Sequence, residues 1–117
     1  MMQELADAWL DRDYKHALSF YSHEIRYGDP TRYQMNGADE LLSFFNNDDG
    51  LPQITTWHHI LFDEEMQIGA AEYSYQGTHL CHGIVLVKIQ NDKITHWREH
   101  QHISELDWET FSLGTAF

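Results

Sequence analysis

Between Lys93 and His102 the chain reads KITHWREHQH, with an imidazole or guanidinium at every second position from His96 onward. A β-strand sends alternate side chains to opposite faces, so as a strand this stretch puts His96, Arg98, His100 and His102 on one face. Thr95, Trp97, Glu99 and Gln101 fall on the other. Imidazole titrates near ~6.5 and can give or take a proton around neutral pH. A guanidinium can hold a carbonyl or anionic oxygen. Asp29, just before Pro30, adds a carboxylate. Asp29, Arg98, His100 and His102 therefore form a candidate polar cluster. In it His102 or Asp29 is the general base and Arg98 holds oxygen. The competing reading is an Asp29–Arg98 ion pair with histidines pointing into solvent.

The remaining reactive residue types carry weaker signals. His100-x-His102 has chelate spacing, ~6.6 Å along a strand, but a stable metal site wants a third or fourth ligand. No metal and no cofactor are expected. His58 and His59 are adjacent, which places them on opposite strand faces. Cys81 has no partner for nucleophilic chemistry and reads as a small buried thiol. Asp48-Asp49 lacks the remaining ligand spacing of a calcium loop. Trp9, Tyr21, Phe44, Phe45, Trp57 and Tyr73 read either as core packing or as the wall of an aromatic pocket.

These residues must be positioned by a chain of 117 residues, which reads as one domain over 1–117. Seven Lys and Arg against 19 Asp and Glu give a formal charge of −12, which repels phosphate backbones and anionic membranes. Neither nucleic acid nor membrane is an expected partner. No apolar run approaches the ~20 residues of a membrane span. A single cysteine excludes an intramolecular disulfide, and no basic-then-apolar leader is read at Met1-Met2-Gln3-Glu4. A reducing cytoplasm is the expected compartment.

Hydrophobic periodicity predicts a helix over Gln3–Leu10, with Leu5, Ala8 and Trp9 on one face, and a second from Tyr14 to about Tyr21 capped by Asp13. A short strand, Glu24–Asp29, ends at Asp29-Pro30. Asn36 is read as the cap of a third helix carrying Leu41, Leu42, Phe44 and Phe45. Strands are predicted over Gln53–Asp63, Gln67–Gln76, His79–Gln90 and Lys93–Ile103, the last two joined by an Asn91-Asp92 hairpin. Ser104-Glu105-Leu106-Asp107 has capping-box spacing and opens a final helix with Leu106, Trp108 and Phe111. The class is α+β: a strongly curved antiparallel sheet wrapped over N-terminal helices.

The hairpin implies a register. With Gln90 opposite Lys93, Val85 faces Arg98, Gly83 faces His100 and Cys81 faces His102. The basic row then shares its face with small and apolar residues. Leu80, Ile84, Leu86, Trp97 and Ile103 lie on the reverse, with His82 and Glu99. Both faces hold apolar area, so both are expected to be covered, the second by another subunit.

The order of an AW-x-x-RD helix, YSHEIRYGDP, NGADELLSFF and DKITHWREHQH before a short helix resembles the SnoaL-like branch of the nuclear transport factor 2 superfamily. The resemblance covers nearly the whole chain. It implies a cone-like fold with an internal pocket, and a homodimer through the outer sheet face. Related functions include isomerases, cyclases, epoxide hydrolases, dehydratases and non-catalytic binders. By the resemblance, Asp29 falls at the proton-shuttling carboxylate of the isomerases. Their oxyanion-hole tyrosine falls at Leu5, and the acid at Val85 or Leu86, so steroid isomerisation is not expected. In the WR-x-Y-x-D pattern of cyclases and epoxide hydrolases, His102 takes the Asp position and His100 the aromatic one. The expected function is binding of a small, largely apolar ligand, with Trp9, Tyr21, Trp57, Val85 and His100 as ligand contacts. Asp29, Arg98 and His102 are the candidates for acid/base chemistry. The alternative is a non-catalytic dimeric binding or assembly module.

Overall fold

The computed structural model describes residues 1–116. Helix α1, Met2–Leu10, buries Leu5, Ala8 and Trp9, as its periodicity predicts. Asp13 caps α2, Tyr14–Leu18, by accepting from the His16 amide at 3.2 Å. The expected continuation to Tyr21 is instead the start of β1, Tyr21–Asp29, because Tyr21 pairs beside Ile94. A four-residue strand, β2 (Tyr33–Asn36), folds back antiparallel on β1. It was not expected from the sequence, since only Met35 of its residues is buried.

Helix α3 spans Ala38–Asn46. Asn36 is not its cap, because it is paired with Arg26 in the sheet. Gly37 takes the cap position with φ 91°, a region glycine enters without a Cβ penalty. The Asn36 amide is satisfied by the Glu40 carboxylate at 3.2 Å. Strands β3 (Ile54–Asp63), β4 (Ile68–Gln76), β5 (Leu80–Gln90) and β6 (Lys93–Ile103) follow, close to their expected bounds. Asn91 and Asp92 both have positive φ, 53° and 61°, as the two-residue hairpin demands. The last helix, α4 (Trp108–Gly114), is capped by Asp107, which accepts from the Thr110 amide at 2.7 Å. Ser104 was the expected cap. Its hydroxyl accepts from the Leu106 amide instead, closing a turn before the helix.

The six strands form one curved, unclosed sheet in the order β2-β1-β6-β5-β4-β3. All pairs are antiparallel except β1 with β6. Leu5, Ala17, Leu41 and Phe45 from the helices pack with Ile25, Tyr73, Val85, Ile94 and Trp97 from the sheet as one core. Among the described residues no helix is long and apolar enough to cross a membrane.

One feature of the sheet overturns the expected register. Gln90 does pair with Lys93, and Ile89 pairs with Ile94, but Lys88 then pairs with His96. Thr95 is the extra residue of a β-bulge, and every later residue of β6 moves to the opposite face. Val85 therefore faces Glu99, Gly83 faces Gln101 and Cys81 faces Ile103. Trp97 and Glu99 are buried, whereas His96, Arg98, His100 and His102 are exposed on the outer face beside Leu86, Ile84 and His82. A second bulge at His58 acts likewise. His58 bonds Ser74 and His59 bonds Glu72, so both histidines serve the outer face rather than opposite ones.

Candidate functional site

The inner face of β5 presents Cys81, Gly83, Val85 and Val87, and the bulge aligns Gln101, Glu99 and Trp97 of β6 beside them. Glu99 is only 6% exposed. Its Oε1 accepts from the Tyr33 hydroxyl at 3.0 Å and from the Trp97 indole N–H at 3.0 Å, and its Oε2 accepts from the Tyr73 hydroxyl. β2 supplies Tyr33, β4 supplies Tyr73 and β6 supplies Trp97, so three strands converge on one carboxyl. Burial raises the Glu99 pKa above the usual carboxylate range. The donors from Tyr73, Trp97 and Tyr33 oppose that shift, and the nearby Asp29 charge adds to it. Burial and the Glu99 charge also raise both tyrosine hydroxyls, which stay neutral donors.

Gly83 is required by this arrangement. A Cβ there would lie 2.7 Å from the Tyr73 hydroxyl and 2.7 Å from the His100 carbonyl oxygen. Gln101 links the site to Asp29. Its side-chain amide donates to the Tyr73 hydroxyl at 3.2 Å, its carbonyl accepts from Arg32 at 3.1 Å, and its backbone N–H donates to Asp29 at 3.0 Å.

Above Glu99 lies a cavity of about 370 Å³, within the range of small-molecule sites. Trp9, Tyr27, Trp57, Tyr73 and Trp97 line its wall, and exposed Asp49, Thr78 and His79 form part of its rim. Two buried polar atoms in this lining, Trp9 Nε1 and Thr55 Oγ1, have no hydrogen-bond partner among the described residues. The wall is built locally by α1, which points Trp9 inward, and by β3, which places Trp57 opposite Tyr73. The Trp57 indole donates to the Met2 carbonyl at 2.9 Å, which ties the strand to the helix.

The residues expected from the sequence are divided by the sheet. Trp9 and Trp57 line the cavity. Tyr21 and Val85 are buried in the core and are not part of its lining. Asp29 is buried, accepts from the Thr31 amide at 2.9 Å and the Thr31 hydroxyl at 2.7 Å, and closes the β1–β2 turn. Desolvation works against its charge, but the Thr31 and Gln101 bonds outweigh it and its pKa is lowered. Arg98, His100 and His102 project from the outer face: Arg98 and His100 line a surface cleft together with Asp29, His102 lies beside His100 near α4, and none of the three lines the cavity. Glu99 and Tyr33 were missed. A signal for Glu99 was present: Ile94 and Trp97, three residues apart, can share the helix-covered face only if the strand bulges between them.

The outer face carries its own network under α4. His58 stacks on Trp108 at 3.7 Å between ring centroids. Ser74 Oγ bridges His58 Nε2 at 2.7 Å and His82 Nδ1 at 2.9 Å, and His82 Nε2 bonds the Leu106 carbonyl at 2.6 Å.

No protein-family model matches this sequence, and no curated protein does. Solved structures do match. A nuclear transport factor 2-like protein of unknown function from Burkholderia xenovorans superposes with TM-score 0.77 at 13% identity, covering 99% of this chain and 90% of that one. An LEH-like epoxide hydrolase from M. tuberculosis gives 0.73 at 12% identity, covering 86% and 79%. A protein of ketosteroid isomerase-like fold from Catenulispora acidiphila, in complex with trimethylamine, gives 0.73 at 14% identity, covering 85% and 82%. At identities this low the superpositions show the fold alone.

Proposed function

For a chain that has the nuclear transport factor 2-like cone fold, we propose that it binds a small, largely apolar molecule in the cavity above Glu99. Glu99 is the group placed for proton transfer to or from that molecule. One observation carries this reading: a buried carboxyl, held by three neutral donors from three strands, at the base of an aromatic cavity. Such a carboxyl is fixed in orientation, and burial holds its proton more tightly than water would. Asp29, whose pKa is shifted the other way, holds the Gln101 amide and acts as a positioning residue. The neighbours' printed names, an epoxide hydrolase and a trimethylamine complex, are in keeping with small-molecule use of such a cone.

The protein acts as a homodimer in this proposal. Leu61 is 71% exposed, Ile84 50% and Leu86 39%, and they stand close together on the outer face. Light scattering after size exclusion gives a dimer mass, and Leu86→Lys shifts it toward monomer. A wild-type monomer at micromolar concentration contradicts this part.

Trp9 and Trp57 in the wall report on occupancy. Titrating small carbonyl, hydroxyl and amine compounds should quench tryptophan emission and raise the melting temperature. Both responses should weaken in Glu99→Gln and Tyr33→Phe. A panel that leaves emission and melting unchanged contradicts the pocket.

A further inference from the structure

Resting on that cavity as the binding site, we propose that its ligand class is a compact tertiary or quaternary alkylammonium cation. Glu99 is a buried carboxyl whose partners are all neutral: two phenol hydroxyls and an indole N–H. Among the described residues no lysine, arginine or histidine forms an ion pair with it. An ionised carboxylate held this way is solvated by dipoles but not neutralised, and burying such a charge is costly unless a cation joins it. A cationic ligand supplies that counter-charge.

The walls suit the same chemistry. Trp9, Tyr27, Trp57, Tyr73 and Trp97 surround the space, and aromatic faces attract ammonium groups through their quadrupoles. Among the lining residues Arg32 is the one arginine and there is no lysine. Its guanidinium is engaged by the Gln101 carbonyl at 3.1 Å. At the rim, Asp48 is paired with Arg12, while Asp49 accepts from the Thr78 hydroxyl and keeps its charge. The overall charge of −12 adds a long-range attraction for cations.

Hydrogen-bond counting sets the substitution level. A carboxylate accepts at about four lone-pair positions, and three protein donors already occupy Glu99. One position remains for a ligand N–H. A tertiary ammonium has one such donor and a quaternary ammonium none. A primary ammonium would bury further N–H groups against aromatic rings.

The test is a tryptophan-emission titration at constant ionic strength with trimethylammonium, tetramethylammonium, methylammonium and the neutral analogue tert-butanol. Both bulky cations should bind roughly tenfold or more tighter than methylammonium and tert-butanol. Glu99→Gln should erase that preference, bringing both cations down to the affinity of tert-butanol in the same variant. Trp57→Leu, which keeps the carboxyl and removes one wall, should weaken the cations selectively. Because Asp29, Tyr33, Tyr73, Arg32 and His79 also face or flank the site, the pH profile is compared between wild type and Glu99→Gln. Cation binding that weakens on acidification only in wild type supports the proposal. Equal binding of tert-butanol and the cations overturns the cation class and leaves the pocket standing. Cation affinity unchanged in folded Glu99→Gln also overturns it. Failure of every probe, tert-butanol included, overturns both the class and the pocket.

Discussion

Gly83→Ala tests the geometry around Glu99 without touching a polar atom. The new methyl would lie 2.7 Å from the His100 carbonyl oxygen, 2.7 Å from the Tyr73 hydroxyl and 2.9 Å from Tyr73 Cζ. One of these neighbours is backbone in the central sheet and the other is a ring 2% exposed. Neither yields cheaply, so overpacking costs about 1–3 kcal/mol. If the ring swings away, the Tyr73 bond to the buried carboxyl is lost as well, at about 1.5–3 kcal/mol. Loss of glycine's freedom in the unfolded chain offsets about 0.4–1 kcal/mol. The clash wins, for a net loss of about 1–3 kcal/mol and a melting temperature lower by roughly 4–12 °C. The assay is thermal and urea unfolding by circular dichroism, in a cycle with Tyr73→Phe. Removing the hydroxyl relieves one of the two shortest contacts, so Gly83→Ala should cost less in that background. Gly114→Ala, where a Cβ meets nothing within 4 Å, serves as the control that should not destabilise. A Gly83→Ala protein as stable as wild type, or a penalty unchanged by Tyr73→Phe, refutes the packing described.

Further predictions concern charge. The Glu99 pKa is raised in the folded protein from 4.5, so its stabilising contribution is full at acid pH and is lost as pH rises through the folded value. Glu99→Gln should therefore gain stability relative to wild type as pH rises from about 4 toward neutrality, and parallel profiles in urea melts would contradict this. His58 is shifted down from 6.5 by burial, with His82 and His59 lowering it and Glu72 raising it. Its contribution is present above that value and declines as pH falls through the lowered one. Acidification should loosen α4, read as faster amide exchange around Trp108, and His58→Phe should keep the ring stack while flattening that dependence. Asp107→Ala removes the cap of α4 and should cost about 0.5–2 kcal/mol, with exchange rising in α4 and not in β6.

The inner face of β5 was legible because Cys81, Gly83, Val85 and Val87 alternate cleanly with larger or polar residues. The helices and hairpin followed from periodicity and turn chemistry. Trp9 and Trp57 could be read as pocket wall only through the resemblance to a cone-like fold, since their types and spacing fit core packing equally well. Alternation failed at the two bulges, since one unpaired residue at Thr95 reverses every later assignment on β6. The basic row that dominates the sequence is therefore outside, and the buried Glu99 was assigned to the wrong face. β2 escaped notice because four residues with one buried side chain carry too little pattern. Without it Tyr33 has no reason to meet Glu99.

Thiol labelling of single cysteines along β6 tests the central geometry most directly. Cys81 is buried, and burial raises its thiol pKa, so the native background reacts slowly. In the Leu86→Lys background, which opens the outer face, Arg98→Cys and His100→Cys should label as fast as a free thiol, while Glu99→Cys should label far more slowly under native conditions. Rapid labelling at position 99 with protection at 98 and 100 would return the basic row to the cavity and contradict the site built here on Glu99.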